Sequence, residues 1–117
     1  MSRFVPQDIR AVERVDDPAE ADARVVDHLA RLGCDPAQPR ETHHYLYLAS
    51  ARRAESVAAA LRASGWSTVV EKSDDAWLVV GRQVAAVTAG SVRETRNRLE
   101  ALAAEHGGFY DGWDAAL

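Results

Sequence analysis

Three glycines punctuate this chain in the same way. Gly33, Gly65 and Gly107 each follow a run of apolar residues at helical spacing, and strand-like residues come after each. Glycine ends helices because it enters the left-handed region without a Cβ penalty. The pattern reads helix, strand, helix, two strands, helix, strand. Such an alternation has few ways to bury one side of every element, so it narrows the fold more than any single motif does.

The local signals fill in that outline. Asp17 is placed to cap the first helix, with Pro18 at its first position and Glu20 at its third. Val25, Leu29 and Leu32 recur at helical spacing. Cys34 to Arg40, with Pro36 and Pro39, is a connector. Residues 42–49 read as the first strand, and Ser50 caps the second helix, whose apolar stripe is Ala54, Val57, Ala58 and Leu61. Trp66 to Glu71 is the second strand. Lys72 to Asp75 carries turn chemistry. Residues 76–80 open the third strand, which can continue past Gly81 toward Val87, with Gly81 a candidate bulge. Ser91 and Glu94 match a capping box. The third helix runs from there to Gly107. Phe109 and Tyr110 begin a closing strand that ends near Gly112, Trp113 and Asp114. Residues 1–16 form an irregular lead-in, with Phe4, Val5, Ile9, Val12 and Val15 interrupted by Pro6. Residues 17–117 form one domain.

The order β-α-β-β-α-β, after a leading helix, predicts an α+β ferredoxin-like two-layer sandwich. Its usual strand order is 4-1-3-2, with the closing strand an edge beside the first. Leu46, Leu48, Leu78 and Val80 are expected to face the crossover helices. Tyr45, Tyr47, Trp77 and Val79 then lie on the face those helices leave open. Apolar residues on both parities of the third strand imply a cover. Candidates are the first helix, a second copy in a homodimer, or another protein.

The totals and motifs exclude several function classes. A net charge of −4 and no basic-aromatic RNA-binding pattern argue against direct RNA contact by Tyr45, Tyr47 and Trp77. No apolar run approaches the ~18 residues of a membrane span. The N-terminus lacks a signal peptide's apolar core, and Cys34 is the single cysteine, so a cytoplasmic protein is expected. Adjacent His43 and His44 point to opposite faces of a strand and cannot share a metal. Ser50 and Ser91 are explained as caps. Asp111 and Asp114 are expected to bond local backbone beside Gly112. An enzyme using Asp111 and His44 is the residual catalytic reading. No catalytic set, metal site or cofactor loop emerges.

Gly33-Cys34-Asp35-Pro36, Glu41-Thr42-His43-His44, Gly65-Trp66 and Tyr110-Asp111-Gly112-Trp113 stand at matching places in this framework. With them the chain resembles the regulator of ribonuclease E activity B family over about residues 20–116. The resemblance implies a ferredoxin-like fold and a non-enzymatic protein that binds a ribonuclease E/G-type endoribonuclease and restrains it. Tyr45, Tyr47, Trp77, Tyr110, Asp111 and Trp113 are the expected partner contacts. The alternative is a small-molecule-binding or oligomeric domain of the same fold.

Overall fold

The structure, a computed structural model, describes residues 18–116. The expected cap at Asp17 and the lead-in of residues 1–16 lie outside the described residues. Helix α1 spans Pro18–Arg31, β1 Arg40–Leu48, α2 Ala51–Ala63, β2 Ser67–Ser73, β3 Ala76–Ala85, α3 Ala89–Glu105 and β4 Phe109–Ala115. The sheet order is β2-β3-β1-β4, and every neighbouring pair is antiparallel. This is the ferredoxin-like arrangement, with the closing strand at the edge beside β1. Parallel β1 and β2 are split by β3, so α2 must cross over the sheet to join them.

The local chemistry explains most boundaries. Ser50 accepts a bond from the Arg53 N–H at 3.2 Å and starts α2. Helix α3 begins earlier than the Ser91–Glu94 pattern indicates. Thr88 is its cap, and a reciprocal box forms between Thr88 and Ser91, because Ser91 replaces the usual acidic partner. Leu32 falls in the turn after α1 and is exposed rather than part of the apolar stripe.

Strand β3 runs straight through Gly81, without the expected bulge. Gly81 serves packing instead. A Cβ there would lie 2.9 Å from Trp66 Cε3 and 3.1 Å from Leu61 Cδ1. The bulge lies in β4, where the register with β1 shifts between Tyr45 and Leu46. Asp111 is the extra residue, and Gly112 takes φ +114°.

Helices α2 and α3 cover one face of the sheet, and α1 packs on α3. The main core holds Leu46, Leu48, Val57, Leu61, Trp66, Val79, Leu99, Tyr110 and Trp113, and Val25 and Leu29 of α1 join it. The first helix therefore belongs to the helix layer and does not cover the open face. The assignment of β3 is inverted. Leu46 pairs with Val79 and Leu48 with Trp77, so Val79 and Trp77 face the helices. Tyr45 pairs with Val80 and Tyr47 with Leu78, which puts Leu78 and Val80 on the open face. Both parities of β3 are apolar, so its own sequence cannot choose a face; the register with β1 does.

Candidate functional site

The open face is read from cross-strand register. One row carries Glu71, Leu78, Tyr47 and Phe109 from β2 to β4. The next carries Val69, Val80, Tyr45 and Gly112. The third carries Ser67, Arg82, His43 and Asp114, with Val84 and Glu41 beyond it. Two rows are thus dominated by apolar side chains, and one end is polar. Tyr47 and Phe109 stack with ring centroids 5.4 Å apart. Val69, Phe109 and Val84 are 51%, 57% and 69% exposed. Leu78 and Tyr45, at the centre, are 0% and 3% exposed. Among the described residues no helix or strand lies over them.

The polar end is tied together by side chains. His43 meets Asp114 Oδ1 through Nδ1 at 3.0 Å and Glu41 Oε2 through Nε2 at 2.7 Å. Tyr45 Oη donates to Asp114 Oδ2 at 2.8 Å. Asp114 therefore joins strands rather than bonding the local backbone. Arg82 lies 3.8 Å from Glu41. A groove of about 320 Å³ beside this cluster is lined by Glu41, Gly65, Ser67, Arg82, Gln83 and Val84. No group of three or more ligating side chains able to hold a metal occurs among the described residues.

The opposite face holds the tail's rings. The bulge at Asp111 puts Tyr110 and Trp113, three positions apart, on the same side, opposite Leu46 and His44. His44 is buried between them and Trp66, with centroid distances of 6.0, 6.3 and 5.2 Å. Its Nδ1 lies 2.9 Å from the Tyr110 hydroxyl. Burial, helped by the positive Arg96 and by His43, lowers the His44 pKa to about 3. Arg96 donates to Asp22 from Nε at 2.5 Å and from Nη2 at 2.9 Å, and its Cζ lies 4.8 Å over the Tyr110 ring. Burial acts to lower the Arg96 pKa, but the hydrogen bonds and charge of Asp22 outweigh it and hold the guanidinium above its ordinary value. Trp113 Nε1 donates to the same Asp22 carboxylate at 2.9 Å.

Of the six expected contact residues, Tyr45 and Tyr47 share the open face. Trp77, Tyr110 and Trp113 face the helices, and Asp111 occupies the bulge. Tyr45, Tyr47 and Trp77 therefore do not form one surface on which bases could stack. His44 is enclosed by rings, and its Nδ1 lies against the Tyr110 hydroxyl. Sequence reasoning missed Phe109 as the partner of Tyr47, and it missed the Asp22–Arg96 pair. Arg96 is only 5% exposed. No local pattern marks a pair drawn from two distant helices.

The family model described as RraB: Regulator of ribonuclease activity B matches residues 19–115. No curated protein matches the chain.

Proposed function

The chain belongs to the regulator of ribonuclease activity B family, and from that premise we propose that it binds a ribonuclease E/G-type endoribonuclease and inhibits it by occupancy, without chemistry of its own. One observation carries the reading: an apolar block on the open sheet face, with Tyr47 stacked on Phe109 and Val69 exposed beside it. Aromatic residues in such blocks tend to dominate protein interfaces. Glu41, Glu71 and Asp114 rim the block, with Arg82 as the cation among them. An acidic rim suits a partner surface rich in arginine or lysine, which enzymes that grip RNA carry. The same rim opposes direct RNA contact.

In this reading Tyr47 and Phe109 contact the partner directly, and Tyr45, buried and bonded to Asp114, supports the strands beneath them. Trp77, Tyr110, Asp111 and Trp113 act from behind by fixing the strands that present them. A stable complex would bury roughly 800 Å² per side. The protein works in the cytoplasm, where its partner cuts RNA.

The test is cleavage of a labelled RNA by the host's ribonuclease E or G homologue, with the purified chain titrated in and a parallel pulldown. Slower cleavage together with a captured complex is the expected result. Unchanged cleavage at saturating chain, with no complex, would remove the reading.

A further inference from the structure

The two edges of the sheet are built differently. Strand β4 is interrupted by the bulge at Asp111, and a bulge twists an edge away from further pairing. Strand β2, at the other edge, has no such guard. It pairs with β3 from Ser67 to Ser73 without a register shift, and it contains no proline. Among the described residues no strand lies along its outer side. Val69 is exposed on it. Lys72, its one cation, lies at the hairpin end, 5.6 Å from the centroid of the Trp77 ring. A regular edge of this kind presents a row of backbone N–H and C=O groups that another strand can pair with.

The edge alone does not say which strand it receives. Helix α2 does. Strands β1 and β2 both run opposite to β3, so they are parallel, and the helix that joins them runs opposite to β2. Its buried residues, Ala54, Val57, Ala58 and Leu61, face the sheet. Arg62 reaches the edge strand and donates to Thr68 Oγ1 at 2.9 Å. Glu55, earlier on the same helix, lies 3.8 Å from Arg62, and both side chains stay exposed. Because α2 runs opposite to β2, Glu55 lies on the side of Arg62 toward Val70. A cation and an anion therefore flank Val69 along the edge.

We propose that a second copy of this chain adds to that edge, β2 against β2 and antiparallel, with Val69 opposite Val69 of the second copy. A two-fold axis there puts Thr68 opposite Val70 of the other chain and Ser67 opposite Glu71. Arg62 of each chain then faces Glu55 of the other, and the two pairs become one alternating cluster of four charges. An isologous contact requires a patch that complements itself, and this cation–anion pair does so about that axis. A segment of uniform charge would meet a like charge at one of the two positions. Lys72 falls outside the paired stretch, where the second chain leaves the edge at Trp66.

The proposal does not depend on the ribonuclease reading. The second copy extends the sheet sideways from β2, whereas the stacked Tyr47 and Phe109 lie on β1 and β4. The contact consists of one strand edge and one helix flank, so association depends on concentration.

The test uses the full chain. In sedimentation equilibrium from about 10 μM to about 1 mM, the mean mass should climb from one chain toward two. Glu55→Arg and Arg62→Glu each put like charges across the axis. Either variant alone should need at least about tenfold more protein to associate. An equimolar mixture of the two should associate at least as well as the native chain, because opposite charges meet again in the mixed dimer. In the native chain, the backbone amides of Ser67–Glu71 should exchange hydrogen severalfold more slowly at the high concentration than at the low one, and those of β4 should not. A mass of one chain throughout would overturn the proposal and leave the edge to an extended segment of another protein. Association that neither the charge variants nor the β2 amides register would overturn it as well, by placing the contact elsewhere.

Discussion

The Trp113 indole N–H donates to Asp22 Oδ1 at 2.9 Å, across 91 positions of sequence. The same carboxylate takes two bonds from Arg96. One buried acid thus joins the first described helix, the last helix and the closing strand. A buried carboxylate left without a cation is costly, so the three groups act as one unit.

Asp22→Ala should therefore destabilise the chain by about 3–5 kcal/mol, the usual cost of breaking a buried ion pair. Arg96→Met in the same molecule should recover part of that loss, because it removes the orphaned charge. Urea denaturation of the single and double variants measures both. A cost near zero for Asp22→Ala would mean that the clamp does not hold α1.

Stability should fall on acidification through His44. Its pKa is lowered from 6.5 to about 3 in the folded chain. Between those values the unfolded chain binds the extra proton, so the contribution is complete above pH 6.5 and is lost as pH falls toward 3. The slope from this one group is about 1.4 kcal/mol per pH unit inside that window. His44→Asn, compared with the native chain in urea titrations at pH 7 and pH 5, should show a shallower loss. Parallel losses would assign the acid sensitivity to other groups.

Two glycines should resist substitution for different reasons. Gly112→Ala puts a side chain at φ +114° in the bulge, a strained region costing about 1–3 kcal/mol. Gly81→Ala pushes a methyl against Trp66 and should cost about 1–3 kcal/mol by overpacking. Gly90→Ala meets open space in the first turn of α3 and serves as the control. Thermal unfolding ranks the three. Equal midpoints would contradict both arguments.

Removing the stacked pair should weaken the proposed ribonuclease complex. Tyr47→Ala with Phe109→Ala should raise the dissociation constant at least about tenfold, or about 1.4 kcal/mol. Arg93→Ala, on the exposed side of α3, should leave it unchanged. Titration calorimetry of both variants decides whether the open face is the contact.

The sequence made some parts of this site legible and hid others. The opposite orientations of His43 and His44 follow from the two-residue period of a strand, and the structure keeps them. Ser50 was readable as a cap because capping needs only neighbouring backbone. The row of Tyr47 with Phe109 was not readable. It depends on the extra residue at Asp111, which shifts every later side chain of β4. Trp77 was misplaced for a related reason: apolar residues on both parities of β3 erase the alternation that would mark its faces.

From the sequence alone came the order of elements, the three glycine stops and, through them, the βαββαβ fold and its strand order. These rest on interactions within a few residues and on the handedness of crossovers, which a linear pattern records. Tertiary structure alone decided which side β3 turns to the helices, where the bulge falls, and that Asp22 meets Arg96 and Trp113. Those outcomes are set by pairing between strands and helices far apart in the chain, where one residue of register reverses every face.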